Sequence, residues 1–171
     1  MSYRQTELIT WSDTFSCGIK LIDDQHKELV RLVNEMYNHV SRDEEQDREY
    51  FNKIIREVVT YIKIHFSTEE KIMVAAEFSG YAEHKKIHDG FILSVTDKIG
   101  DLSAGKRLSL FSFTRFLKNW ALSHIAVTDK EHFEFLRKNT CIKDDGKTGI
   151  NLSPAHIIAH ADVSRGMREI A

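Results

Sequence analysis

Five histidines and two carboxylates recur at helical intervals in four separate stretches of this chain: His26; His65 with Glu69; His84 with His88; and His124 with Asp129. Residues four apart stack on one face of an α-helix, so His65/Glu69 and His84/His88 each present two donors in the same direction. A single histidine on an apolar face is more often a hydrogen-bonded core residue than a ligand. Seven coordinating groups on inward helix faces are another matter, because burying them is costly unless they share metal ions. The pattern calls for four helices that turn these faces toward one another.

Apolar periodicity supplies those helices. The first spans about Leu21 to Val40, with Leu29, Val30, Val33, Met36, Tyr37 and Val40 recurring at three and four and His26 extending the stripe. Ser41 to Glu49 reads as a solvated connection whose acidic end suits a helix N-terminus. The second helix spans about Asp47 to Ala76, with Phe51, Ile54, Ile55, Val58, Ile62, His65, Glu69, Ile72 and Met73 on one side. Phe78-Ser79-Gly80 breaks the pattern before a third helix at about Tyr81 to Ile99, whose inner face is His84, His88, Phe91, Val95 and Ile99. Gly100 to Gly105 forms a turn, and a fourth helix from about Leu108 carries Leu110, Phe113, Leu117, Trp120 and His124 and continues through Phe133 and Leu136. The fold expected is all-α, an antiparallel up-down four-helix bundle with an N-terminal arm. Residues 1–140 form the bundle domain and residues 141–171 a linker and tail, in which Lys143 to Gly149 is the linker. Ser153 and Pro154 then start a short terminal helix reaching toward Met167.

Composition excludes several classes. At 171 residues and 42% hydrophobic content the chain suits one well-buried domain. Its 24 basic and 26 acidic residues leave a net charge of -2, without the basic stripe that nucleic-acid binding requires. Met1 to Thr10 lacks an apolar leader segment, and no run of about 18 apolar residues occurs, so a cytoplasmic protein that does not engage membranes is expected. Cys17 and Cys141 stand apart in no CxxC pattern and read as reduced thiols.

Imidazole and carboxylate together suit iron, zinc, copper or manganese. With five terminal histidines, two bridging carboxylates and a solvent-derived oxo or hydroxo bridge, the donor count falls one short of two complete octahedra. One ion keeps an open position, an arrangement suited to reversible capture of a diatomic molecule or small anion, and iron fits it best. His124 and Asp129 are five apart and point about 140° away from each other on a regular helix, so a π-turn or a local break is expected between them. His39, beside the charged loop, and His132, off the His124 stripe, read as solvated or locally paired. His156 and His160 form a tail pair with no carboxylate at helical spacing.

The motifs resemble those of the hemerythrins, specifically the bacterial single-domain bacteriohemerythrins, from about Trp11 to Leu136. Trp11 followed by Gly18-Ile19 and Ile22-Asp23-Asp24-Gln25-His26 is similar to the family's opening motif. The segment His65-Phe66-Ser67-Thr68-Glu69-Glu70-Lys71-Ile72-Met73 is similar to H-F-x-x-E-E-x-x-M, and His84 to His88 to H-x-x-x-H. Trp120, His124-Ile125 and Asp129 follow W-x-x-x-H-I-x-x-x-D. The resemblance implies two oxo- or hydroxo-bridged irons per chain, with His84, His88 and His124 on a six-coordinate iron, His26 and His65 on a five-coordinate iron, and Glu69 and Asp129 bridging. Dioxygen would bind the five-coordinate iron, and azide or nitric oxide are further small ligands. Leu117, Trp120, Ala121 and Ile125 would line the oxygen pocket. Two departures stand out: Phe78-Ser79 replaces the Tyr-Pro of many relatives, and Ala121 stands where Leu is frequent.

The resemblance thus implies a reversible oxygen-binding protein for storage, delivery or sensing, not an enzyme beyond weak oxidase or peroxidase activity. One alternative is a di-iron oxidase or peroxidase acting on peroxide or nitric oxide. Against it stands the lack of a further inward carboxylate, tyrosine or cysteine to act as acid or nucleophile. The other is an oxygen-sensing adaptor whose tail docks a protein partner.

Overall fold

The structure, a computed structural model, describes residues 6–41, 43–104, 109–139, 142–144 and 150–152. Helix α1 covers Lys20–His39, α2 Glu44–Ala75, α3 Tyr81–Ser103 and α4 Leu110–Ser123. A π-helical turn, His124–Asp129, joins α4 without interruption to α5, Lys130–Asn139. Asp43 starts α2 earlier than the apolar stripe does, because its side chain accepts from the backbone N–H groups of Glu45 and Gln46. Ser109 does the same for α4 through Ser112 N–H, so that helix begins two residues later than Leu108.

The α2–α3 turn closes through Glu77 in the left-handed region at φ 50° and a bond from Phe78 N–H to the Met73 carbonyl. A Cβ on Gly80 would lie 2.6 Å from the Phe78 ring, so any larger residue there would displace that ring.

Two apolar clusters show how the helices run. One contains Leu29, Val33 and Met36 of α1, Val58, Ile62 and Phe66 of α2, Phe91 and Val95 of α3, and Phe113, Leu117 and Ile125 of the last helix. The other contains Ile19 and Ile22 at the start of α1, Ile72 and Met73 near the end of α2, and Phe133 and Leu136 of α5, with Tyr81 of α3 packed on it. Going along the chain, successive helices meet the two clusters in opposite order, which is the signature of an up-down-up-down bundle. The seven polar positions fall between the two clusters on every helix. Helix α1 contacts α2 and α4, α3 contacts α2, and Phe91 of α3 stacks on Trp120 of α4 at 3.8 Å.

The N-terminal arm is pinned across this bundle. Asn34 of α1 accepts from the backbone N–H groups of Leu8 and Ile9, at 2.8 and 2.9 Å, and donates to the Ile9 carbonyl. Asp23 accepts from Cys17 N–H and the Ser16 hydroxyl, which fixes the arm's entry into α1. Cys17 is a buried free thiol, and burial pushes its pKa up.

Beyond the bundle, Lys143 and Asp144 of the expected linker belong to a strand. Ile142–Asp144 (β1) pairs antiparallel with Ile150–Leu152 (β2), in the register Ile142 to Leu152. The signal was in the sequence: Ile142 and Ile150-Asn151-Leu152 alternate apolar and polar residues around an Asp-Gly pair, a hairpin pattern. The terminal helix expected from Pro154 to Met167 lies outside the described residues. Among the described residues no helix is long and apolar enough to cross a membrane.

The clamp on the arm is testable. Asn34→Ala removes three partly buried hydrogen bonds and should cost about 1–3 kcal/mol in urea unfolding. Amide exchange at Leu8 and Ile9 should quicken; unchanged exchange at both would contradict the clamp.

Candidate metal centre

Each element brings its donors in through ordinary helix geometry, with one exception. His26 lies one turn beyond Ile22 on α1, and the i, i+4 pairs of α2 and α3 face inward as their spacing demands. His124 and Asp129 need the wider turn, and the π-helix spans those six residues and aligns both. The sequence-level expectation of an irregularity in this interval agrees with the structure. His26, His65, Glu69, His84, His88 and Asp129 have no exposed surface, and His124 is 2% exposed.

The Nε2 atoms of all five histidines converge on the two carboxylates, and each carboxylate divides its oxygens between them. Glu69 Oε1 lies 3.7 Å from His26 and 3.6 Å from His65, while Oε2 lies 3.2 Å from His84 and 3.1 Å from His88. Asp129 Oδ2 lies 3.1 Å from His26, and Oδ1 lies 3.1 Å from His124 and 3.6 Å from His84. Two donor groups result, Glu69/His84/His88/His124 and His26/His65/Glu69/Asp129, in each of which the donor atoms lie within 4.8 Å of one another.

These residues fit a pair of metal cations. His65 Nε2, Glu69 Oε1 and Asp129 Oδ1 are buried and make no aligned hydrogen bond among the described residues. Unpaired polar atoms at that depth are costly in a purely organic core and natural for ligands that aim lone pairs at a shared point. The mixed imidazole and carboxylate set suits first-row transition metals.

Ring orientation comes from outer partners. His65 Nδ1–H donates to Gln25 Oε1 at 3.0 Å, and Gln25 is held in turn by its amide on Thr68 Oγ1. His88 Nδ1–H donates to Glu70 Oε1 at 3.1 Å. Both bonds leave Nε2 bare toward the carboxylates, as a metal ligand requires. Phe66 stacks on His88 at 3.7 Å and Trp120 on His124 at 4.2 Å, which restrains both rings.

Sequence reasoning missed several of these neighbours. Gln25 and Glu70 were visible only as parts of motifs, although each adjoins a candidate ligand in the chain. His132 is half-buried, its Nδ1 lying 2.9 Å from His84 Nδ1, so it packs against the site and is not a solvated histidine. Burial and the neighbouring His84 lower its pKa. Tyr61 corrects the expectation that no tyrosine faces inward. It is buried, stacks on His65 at 5.1 Å, and its hydroxyl has no partner among the described residues. Its place one turn before His65 was the available signal. His39 is locally paired as expected, stacked on Tyr50 at 3.9 Å.

Of the residues expected to enclose a small ligand, Ala121 and Ile125 line an apolar cavity of about 10 Å³ together with Ile9, Phe15, Val30, Leu122 and Ala126. Trp120 and Leu117 lie elsewhere, Trp120 against His124 and Phe91, and Leu117 fully buried in the larger cluster. Ile9 and Phe15 of the N-terminal arm form part of the wall that faces Ala121 in this cavity.

Burial works against a charge on His26, yet hydrogen bonds and charge from Asp129 and Glu69 outweigh it and raise its pKa to about 9. His65 moves the other way, to about 4, chiefly through burial and partly offset by Glu69. Burial disfavours the Glu69 carboxylate, but His65 and the hydrogen bonds of its histidine neighbours hold it well below the usual range.

Comparison with known proteins gives this cluster its family. The model of the "Hemerythrin HHE cation binding domain" matches residues 17–136. The chain belongs to the hemerythrin family. It is similar to a bacteriohemerythrin of Stenotrophomonas maltophilia (strain R551-3), 32% identical over 125 residues, or 73% of this chain and 79% of that protein. It is also similar to hemerythrin subunit 2 of Golfingia vulgaris, 29% identical over 119 residues, 70% of this chain and 85% of the subunit. Among solved structures a wild-type hemerythrin superposes with a TM-score of 0.65 at 26% identity, covering 74% of this chain and 98% of the other. A leucine-to-alanine variant of a hemerythrin gives 0.68 at 27% identity, with 77% and 98% covered.

The charge pattern predicts how the metal-free chain responds to pH. An unfolded histidine titrates near about 6.5. Because the folded His26 pKa is raised to about 9, its stabilising contribution is complete below about 6.5 and lost as pH rises through 9. Because the His65 pKa is lowered to about 4, its contribution is present above about 6.5 and lost as pH falls toward 4. Urea unfolding of the metal-free chain should therefore show greatest stability near about pH 6.5. Stability that keeps rising from pH 7 to pH 9 would contradict the His26 assignment.

Proposed function

We propose that His26, His65, Glu69, His84, His88, His124 and Asp129 hold two iron ions, and that the chain binds dioxygen reversibly for storage, delivery or sensing. The observation that carries this reading is the division of Glu69 and Asp129, each with one oxygen toward His26 and the other toward His84 and its neighbours. Two carboxylates so placed would each be shared by the two ions, and the histidines fall unequally on the two sides. When bound, the iron pair would supply the electrons that dioxygen accepts, and the side with fewer histidines would leave room for the ligand.

The chain's own residues do the rest. Gln25 and Glu70 hold two imidazoles in the tautomer that offers Nε2 inward. Phe66, Trp120 and the cavity-lining apolar groups keep water and anions away. In the metal-free chain burial, with charge from Glu69 and Asp129, raises the Tyr61 pKa well above its ordinary value. Residues 1–140 form the metal-binding unit in this reading, and residues 141–171 an appended segment.

Anaerobic reconstitution with ferrous iron tests the proposal. Two irons per chain are expected, together with an optical band that appears with dioxygen and disappears on deoxygenation. Glu69→Ala, which removes a shared ligand, should lose both irons. One metal per chain and no colour change would sink the di-iron reading.

The wall beside Ala121 gives a second test. Ile9→Ala enlarges the apolar cavity and should speed autoxidation and azide entry while leaving the iron content unchanged. Equal rates in the two proteins at matched pH and temperature would show that the arm does not control access.

A further inference from the structure

His84 differs from the other histidines of the cluster in what holds its outer nitrogen. Its Nε2 faces Glu69 at 3.2 Å and Asp129 at 3.6 Å, so its Nδ1 points outward. Among the described residues its partner there is not a carboxylate or amide but the Nδ1 of His132, at 2.9 Å. Two ring nitrogens at that separation share one proton, one ring donating and the other accepting. Since a ligand that offers Nε2 to a metal carries its proton on Nδ1, His84 is the donor and His132 the acceptor. His132 therefore keeps its own proton on Nε2.

The setting around His132 is built to hold that ring. It meets His84 edge to face, with centroids 5.1 Å apart at 60°. Phe78 lies on it at 5.2 Å, and Phe135 backs Phe78 at 5.8 Å. The Phe78 ring occupies the space that a Cβ on Gly80 would fill. The α2–α3 turn thus reaches the metal cluster through Phe78 and His132.

We propose that His132 is a positioning residue for the metal centre, accepting the Nδ1–H of His84 and so fixing that ligand's tautomer and ring orientation. The inference rests on the di-iron reading of the cluster. It adds to that reading a neutral aromatic acceptor for His84, whereas His88 has a carboxylate and His65 an amide. Outer partners of this kind govern how tightly a metal is held, and losing one weakens binding roughly 10–100-fold.

The test uses the full chain, ¹⁵N-labelled and loaded with zinc, which is diamagnetic and accepts the same imidazole donors. Long-range proton–nitrogen correlation should show His84 protonated on Nδ1, a metal-shifted Nε2, and a scalar coupling from His84 Nδ1 across the hydrogen bond to His132 Nδ1. Chelator-driven zinc release should quicken roughly 10-fold in His132→Leu, which keeps apolar bulk against Phe78 but removes the acceptor. It should stay near the wild-type rate in His132→Asn, whose side-chain oxygen takes the place of Nδ1. A proton on His132 Nδ1, or unchanged release from the leucine variant, would overturn the assignment. A metal-shifted His84 with no coupling to His132 would sink this inference alone, whereas the absence of any metal shift at His84 would sink the di-metal reading. If His132→Leu does not fold, the coupling in the wild-type chain decides the matter.

Discussion

Glu69 and Asp129 are two carboxylates with no exposed surface at the centre of a helical bundle, and the rest of the structure is arranged around keeping them there. Desolvating an isolated carboxylate costs several kcal/mol even after relaxation. Five imidazoles surround the pair at 3.1 to 3.9 Å, and the hydrogen bonds and charge of the carboxylates raise the pKa of one of them, His26, to about 9. Metal cations neutralise the same charge while using lone pairs that the imidazoles leave unmatched. The cluster is therefore a site whose electrostatic compensation depends on pH without metal and becomes fixed with it.

The scaffold holds seven polar groups because it divides its hydrophobic surface. Each helix passes from one apolar cluster to the other and places its polar donors in between. Helices α1, α2 and α3 do this with regular geometry. The last helix carries its two donors five residues apart, and the π-turn His124–Asp129 is the local distortion that lets both face inward. The aromatic layer of Phe66, Phe91 and Trp120 then closes one side, with Phe66 stacked on His88 and Trp120 on His124. In the proposed di-iron reading, metal binding and core packing share the same side chains.

Much of this was legible in the sequence because it follows from helical periodicity. The four helices, the inward placement of His65/Glu69 and His84/His88, and the irregularity after His124 all follow from spacing. What was not legible depends on contacts distant in the chain. His132 lies 48 residues from His84 and off the apolar stripe, so nothing in its own surroundings marks its partner. Ile9 and Phe15 face Ala121 in an arm that Asn34 pins at Leu8 and Ile9, a tertiary hydrogen-bond pattern with no periodic signature. The β1–β2 pair is different. Its alternation around Asp-Gly was readable, but a polar, glycine-bearing stretch after a helical bundle invites the reading of a plain linker.

The account stands on Glu69 and Asp129 each serving both sides of the cluster. An iron anomalous difference map from crystals of the reconstituted chain tests this most directly. Two peaks are expected, one against His26 and His65 and the other against His84, His88 and His124, with both carboxylates touching both peaks. A single peak, or two peaks with either carboxylate bound to only one, would contradict it.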